Sequence, residues 1–479
     1  MVPPKNEVVH RLLFVDVPAR LAAIVGERNV VVDPSEMGAY LVEPRDLFKG
    51  RALCVVRPGS TAEVAAVVAL CAEAGTKIVP QGGNTGLVGG QTPSERGDEI
   101  VLSLRRMNKL REVDPQSNTL TVEAGMTLAQ VRAEADKVGR CFPLSLPAAT
   151  ACTIGGNLAT NAGGTAAIAY GTARDLVLGV EVVLADGRIL SDLSKLKKNN
   201  TGYDLKNLFI GSEGTLGIIT AAVLKLCPRP RAVETAFVGL DDPRQALRLL
   251  DLAREMVDYE LKTFELIPRI AIDFVLAHGN AVSDPLPAPY PCYVLLELAG
   301  QSDGLAKRLL GLLRSAEDRG IVRNAAVAAS PDERNGFWRI RAQISDVQAH
   351  EGGSIKHDVS VPVADVPVFL EEVERAVTRH VPGARLVAFG HLGDGNIHCN
   401  VSQPIGADKA AFLARWDEIN EIVHAIVAAH AGSISAEHGI GRLKRALLPR
   451  VKDPVALEVM RALKRTLDPQ GILNPGKVL

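Results

Sequence analysis

Hydrophobic positions in the first half of the chain switch between short continuous runs and longer stretches of helical period. CVVRP at 54–58 reads as a buried strand, TAEVAAVVALCAEAG as a helix with Thr61 as N-cap and Gly75 at its end, and KIVPQ as the next strand. Such alternation predicts α/β or α+β material. Two prolines in CPRPRAV, starting at Cys227, mark a boundary. Beyond it the texture changes. Helical segments DPRQALRLLDLAREM, SDGLAKRLLGLLRSAEDRG and ADVPVFLEEVERAVTRH alternate with short apolar strands such as YVLLELAG, and DPLPAPYP at 284–291 is a loop. This half predicts an antiparallel sheet with helices on one face.

Polar chemistry concentrates at 391–400, HLGDGNIHCN. Asp394 and Gly395 signal a hairpin turn, in which both central residues take positive φ. The strand that follows puts His398 and Asn400 on one face, and Ile397, Cys399 and Val401 on the other. The polar pair therefore looks away from the core. Glu437 and His438, in ISAEHGIG, add a carboxylate and a third imidazole. Two imidazoles and a carboxylate leave a coordination position open, which suits Zn²⁺ in a catalytic role; Mn²⁺, Co²⁺ and Fe²⁺ fit the same nitrogen and oxygen donors. Asp394 reads as turn chemistry.

Three glycine-rich stretches lie in the first half: GGNTGLVGG at 82–90, IGGNLATNAGG at 154–164 and GSEGTLGIIT at 211–220. None is a G-x-G-x-x-G turn between strand and helix, so a Rossmann site is not expected. In Gly82, Gly83, Asn84, Thr85 and Gly86 successive N–H groups can converge on an anion, as pyrophosphate-binding nests do. No Lys or Arg falls between Gln81 and Gln91, so backbone dipoles would carry that anion.

Length and composition narrow the classes. At 479 residues the chain holds two or three domains. A formal charge of -1 with both signs interspersed gives no reason to expect nucleic acid or a membrane surface, and the apolar runs are too short to span a bilayer. Residues 1–17 carry neither a signal-peptide nor a transit-peptide pattern, which makes cytoplasmic location the expectation. Seven cysteines without a C-x-x-C pair fit a reducing compartment and a place in the core.

PQGGNTGLVGG, IGGNLATNAGG, NTGYDLKNLFIGSEGTLGIIT and the closing ILNPGK resemble flavoproteins of the vanillyl-alcohol-oxidase type, in particular their D-2-hydroxy-acid dehydrogenase branch. The resemblance covers nearly the whole chain. It implies a PCMH-type FAD-binding domain at 1–227, completed by a tail at about 440–479, and a substrate- and metal-binding cap at 228–439. It places the first loop, through Leu87, around the pyrophosphate. The second, with Pro147, Thr153, Gly155, Gly156, Asn157, Thr160, Asn161, Gly163 and Gly164, runs under the ribityl and flavin ring. Ile218 falls near the adenine, and Asn474 approaches the ring. Many relatives attach FAD through histidine, but none occurs between His10 and His278. Cys141 and Cys152 leave a cysteinyl bond open; non-covalent FAD is expected.

The same resemblance makes His391, His398 and Glu437 metal ligands and His438 the base, with Arg341, Ser345 and Lys356 clamping a substrate carboxylate and Asn400 bonding the substrate. It implies oxidation of a D-2-hydroxy acid, D-2-hydroxyglutarate ahead of D-lactate or glycolate, with electrons passed to an electron-transferring flavoprotein, a quinone or a cytochrome. A homodimer is compatible with it. Ser345 stands where the pattern has threonine, keeping the hydroxyl without the methyl. The metal has a physical reason. The substrate hydroxyl titrates near water at about 15.7 and histidine near 6.5, a gap of about nine units or roughly 12 kcal/mol, which a Lewis acid on the oxygen largely closes. On a helix Arg341 and Ser345 share a face. In SIKHDVSV the alternation puts Ile355, His357 and Val359 inward, and Ser354, Lys356 and Asp358 on the opposite side. The lysine-rich loop at 195–200 reads as solvated surface or as a dock for an acidic electron-transfer partner.

Overall fold

The computed structural model describes residues 16–479, so nearly all of the leader reading at 1–17 lies outside the described residues. Cys54–Val56, Glu99–Ser103 and Lys77–Gln81 pair in parallel, with Val30–Val31 antiparallel at the edge. The helix Thr61–Ala74 ends at Gly75 in the left-handed region, as expected, but its N-cap is Ser60, whose Oγ accepts from Glu63 N. Thr61 is turned inward instead and donates to Glu181 Oε1 at 2.6 Å. A five-stranded antiparallel sheet follows, in the order Leu110–Asp114, Thr119–Glu123, Ile218–Lys225, Val177–Val183 and Ile189–Asp192. The two sheets share a core in which Val56, Ile78 and Leu102 meet Val183 and Ile218.

The C-terminal tail returns to this core. Ile78 N donates to Ile472 O and Asn474 N to Ile78 O, both at 2.8 Å, and Ile472 and Leu473 are buried beside Ile78.

Downstream of Pro228 an eight-stranded antiparallel sheet runs Asn324–Val327, Ala232–Leu240, Cys292–Gly300, Leu261–Pro268, Arg385–His391, Asn396–Ser402 and Ser354–Ile355, with Asp358–Ser360 also paired to Asn396–Ser402. Alternating residues of its strands separate two cores. Ala236, Val238 and Val294 face the helices Pro243–Val257, Leu305–Asp318, Val366–His380 and Trp416–Ala429. Phe237, Tyr293, Leu295 and Phe389 face Arg269–His278 and Pro331–Val347. Helices therefore cover both faces, where the sequence pattern suggested one. Strands such as CYVLLELAG are apolar at nearly every position, as burial on both sides requires. Among the described residues no helix is long and apolar enough to cross a membrane.

Candidate active site

Both halves of the chain line one cavity of about 820 Å³. From the glycine loops it takes Gly82, Gly83, Asn84, Thr85, Gly86 and Leu87; Pro147, Thr153, Gly155, Gly156, Asn157, Thr160 and Gly164; and Ile218 with Gly214 and Gly217. The sequence makes these loops dense. A Cβ on Gly83 would stand 2.0 Å from Ala151 O, and one on Gly82 2.2 Å from Thr153 Oγ1, so the first two loops cross with almost no space between them. Asn84, at φ 54°, donates from Nδ2 to Ala39 O and Val42 O, anchoring the first loop.

Three expected cofactor residues do not line the cavity. Asn161 accepts from Thr172 Oγ1 and Arg174 N and so shapes the second loop. Gly163 lies behind the wall, where a Cβ would meet Glu437 Oε2 at 3.4 Å. Asn474 donates to Gly90 O and Glu213 O, tying the tail to the first and third loops. Its Nδ2 is held by main-chain carbonyls, while its Oδ1 is buried with no partner among the described residues.

The second half of the chain supplies Arg341, Ser345, Lys356, Asn400, His391, His398, Glu437 and His438 to the same cavity. The hairpin forms as read, with Ile397, Cys399 and Val401 in the core and His398 and Asn400 on the other face. Its turn is longer than expected: His391 pairs with Asn396, and only Gly395 has positive φ, while Asp394 Oδ1 accepts from Asn396 N. His398 Nε2 lies 3.6 Å and His438 Nε2 3.8 Å from Glu437 Oε1.

Two carboxylates organise this group, and sequence reasoning assigned neither a role in the site. Glu265, fully buried, accepts from Arg341 Nε at 2.7 Å and pairs with His391 Nδ1 at 2.5 Å. Burial alone would raise its pKa, but the charges of His391 and Arg341 outweigh it and hold the carboxyl at about 2. Burial likewise opposes the charge on His391, and Glu265 overrides it, lifting the imidazole to about 9. Asp358 stands opposite His398 in the sheet. Its Oδ2 accepts from Glu437 N at 3.0 Å and His438 N at 2.9 Å, and its Oδ1 from Asn396 Nδ2 at 3.0 Å. It also lies 3.5 Å from His438 Nδ1. Burial depresses the pKa of His438 to about 4, against the pull of Asp358.

Asp358, His398, Glu437 and His438 bring donor atoms within 4.8 Å of one another. The expected trio differs from this group: His391 lies outside it, its ring centroid 5.5 Å from that of His398 and its Nδ1 directed to Glu265. On the far wall Lys356 Nζ donates to Ser345 O at 2.9 Å, Asn400 Nδ2 to Gln348 Oε1 at 3.1 Å, and the Arg341 guanidinium lies 4.8 Å over the Phe389 ring. A third carboxylate braces the segment after His438: Glu213, from the third loop, accepts from Ile440 N and Gly441 N.

The cavity suits a flat cofactor carrying phosphates. Its glycine walls expose backbone, and Asn157 Nδ2 on that wall is buried with no partner among the described residues. Comparison with known proteins agrees. Residues 52–192 match the FAD binding domain model and residues 229–478 the C-terminal domain model of FAD linked oxidases. The chain belongs to the FAD-linked oxidase family. Within this family it is 39% identical to a probable D-2-hydroxyglutarate dehydrogenase of Oryza sativa subsp. indica, over 95% of this chain and 80% of that protein. It is 38% identical to the Bos taurus D-2-hydroxyglutarate dehydrogenase over 99% and 86%, and 34% to that of Stutzerimonas stutzeri over 96% and 97%. In fold the FAD-linked oxidase chain matches p-cresol methylhydroxylase with a TM-score of 0.78 at 18% identity, covering 98% of this chain and 97% of that one. It matches alkyldihydroxyacetonephosphate synthase with a TM-score of 0.76 at 19% identity, covering 99% and 87%. The α+β, PCMH-type architecture expected from the sequence is the one observed.

These relatives overturn one expectation. The rice and cattle proteins are named mitochondrial, which contradicts the cytoplasmic reading. That reading rested on the lack of a leader pattern, and a removable leader has no bearing on the core or site that relatives share.

Proposed function

We propose that this FAD-linked oxidase oxidises a D-2-hydroxy acid, D-2-hydroxyglutarate foremost, to the 2-oxo acid. Residues 1–227 with 440–479 form the cofactor domain in this reading, and 228–439 the cap. The observation that carries it is the convergence of His391, His398, Glu437 and His438 on the cavity walled by the glycine loops. FAD, bound non-covalently, would supply the acceptor for the two electrons leaving C2, and an electron-transferring flavoprotein, quinone or cytochrome would take them onward. His391, His398 and Glu437 would hold a divalent cation, Zn²⁺ or one of Mn²⁺, Co²⁺ and Fe²⁺, which would supply the Lewis acid that makes the hydroxyl acidic enough for histidine.

The donor set fits such an ion. Glu265 occupies Nδ1 of His391 and would leave Nε2 to ligate, its proton released as an ion binds, the outer-shell arrangement usual for metal-bound histidines. The oxygens of Asp358 are directed to N–H groups and position the 437–438 segment. His438, neutral at pH 7, takes the hydroxyl proton, and the Asp358 carboxylate stabilises the charge that results. Arg341, its Nε fixed by Glu265, directs the rest of its fork at the substrate carboxylate together with Ser345 and Lys356. Asn400 keeps Oδ1 for the substrate, since its Nδ2 is bonded to Gln348.

Steady-state rates with D-2-hydroxyglutarate, D-lactate and glycolate, each with its L-isomer where one exists, test the reading. The D-dicarboxylate is expected to give the highest kcat/KM. A preference for lactate that survives Arg341→Ala would replace it with a monocarboxylate dehydrogenase.

A further inference from the structure

The segment just before the first parallel strand reaches into the same cavity with a cation that nothing above accounts for. Arg45 lines the wall shared by Lys356, Arg341 and His438, although it comes from the cofactor half of the chain. Its loop is firmly built. Glu43, 2% exposed, accepts from Arg45 N at 2.8 Å and Leu47 N at 2.6 Å. Asn84 of the first glycine loop holds Val42 O, and Phe48 is stacked under the Arg442 guanidinium at 4.7 Å. Asp46 takes φ 58° to complete the turn. A braced loop of this kind fixes where Arg45 enters, yet the Arg45 guanidinium itself makes no hydrogen bond or ion pair among the described residues.

The charges around it are unbalanced. Arg341 is matched by Glu265, whereas Lys356 bonds only the Ser345 carbonyl oxygen. Burial holds the Lys356 ammonium below its ordinary pKa, with Arg45 adding to the effect and Asp346 opposing it. The acids near these two cations are Glu43 and Asp358 for Arg45 and Asp346 for Lys356; Glu43 and Asp358 accept from main-chain N–H groups, and neither cation has an ion-pair partner among the described residues. Arg45 feels the Asp358 charge and His438 feels that of Arg45, and Arg45, Lys356 and His438 all line the one cavity, which puts the guanidinium at the substrate end. A substrate with one carboxylate uses it beside its C2 hydroxyl. A second carboxylate would lie in the clamp of Arg341, Ser345 and Lys356, with Arg45 beside it.

We propose that Arg45 is a substrate-binding residue that, with Lys356, receives the far carboxylate of a dicarboxylic D-2-hydroxy acid and so sets the preference for dicarboxylates. The inference rests on the proposed D-2-hydroxy-acid dehydrogenase activity. It makes substrate choice depend on both domains, since the loop that holds Arg45 is also tied to the first glycine loop.

The test compares full-length, FAD-loaded wild type with Arg45→Met, Arg45→Gln and Arg45→Lys. Loss of one charged contact is expected to lower kcat/KM for D-2-hydroxyglutarate roughly 10- to 100-fold, chiefly through KM. D-Lactate should stay within about twofold and Arg45→Lys should recover part of the loss. Where lactate turnover is slow, titration of the flavin spectrum with 2-oxoglutarate and with pyruvate reads the same discrimination. An equal fall for both substrates, an unchanged ratio, or loss of FAD from the Met and Gln variants would overturn the assignment. A wild type inactive on every dicarboxylic D-2-hydroxy acid would instead overturn the activity on which it rests.

Discussion

Asp358→Asn isolates what the buried carboxylate does for His438. The replacement has the same shape, and its Oδ1 can still accept from Glu437 N and His438 N, now 3.0 and 2.9 Å from Asp358 Oδ2. What disappears is the charge, together with the bond from Asn396 Nδ2, which would then face another amide N–H. At 3.5 Å from His438 Nδ1 and an effective dielectric of about 20, a unit charge favours a proton on the imidazole by about 5 kcal/mol. With the proton about half transferred in the transition state, about 2.5 kcal/mol is lost, or roughly 70-fold in rate at about 1.36 kcal/mol per tenfold. The assay is anaerobic stopped-flow reduction of the bound flavin at saturating D-2-hydroxyglutarate, alongside FAD content and KM. Flavin reduction is expected to slow by that factor while FAD content stays unchanged. A rate within threefold of wild type, with FAD retained, would show that Asp358 only shapes the loop.

The neighbouring imidazoles should separate cleanly. His438→Ala is expected to keep FAD and metal while losing about 10²- to 10⁴-fold in turnover, and His391→Ala to lose the metal as well; flavin absorbance and elemental analysis distinguish the two, and wild-type activity in either refutes its role. Away from the site, Glu181 accepts from Thr61 Oγ1 and Thr220 Oγ1 and pairs with Arg111 Nη2 at 3.1 Å. Burial works against its charge, but these partners outweigh it and hold its pKa below 4.5. A depressed folded pKa stabilises above the unfolded value, about 4.3, and that stabilisation is lost as pH falls through the folded one. Glu181→Gln should therefore lower Tm at pH 7, and the gap from wild type should close in acid; a gap that widens below pH 4 contradicts this sign.

Residues with a local signature were legible in the sequence. Alternation alone oriented His398 and Asn400, because a strand has only two faces and Ile397, Cys399 and Val401 claim the apolar one. Density of glycine marked the loops, since only a missing Cβ lets Gly83 pass so close to Ala151 O. Glu265 had no such mark. It sits among apolar neighbours in the strand Leu261–Pro268 and meets His391 from 126 residues away, so only the paired sheet reveals it. Asp358 was placed on the correct side of its strand, yet its bonds to Glu437 N and His438 N arise from a chain return 79 and 80 residues later. For Asn474 the motif was visible, but the carbonyls that hold its Nδ2 belong to loops far back in the chain. Arg45 lies in an exposed-looking stretch, EPRDLFKG, whose approach to the cap depends on how the two halves dock.

The most direct measurement is anaerobic reduction of the bound flavin by D-2-hydroxyglutarate in enzyme stripped of divalent ions by chelation, before and after Zn²⁺ or Mn²⁺ is returned. Reduction is expected to be slow in the stripped protein and to recover with the metal, and L-2-hydroxyglutarate to remain inert throughout. Flavin that bleaches equally fast without any divalent ion would contradict a metal-assisted proton transfer to His438.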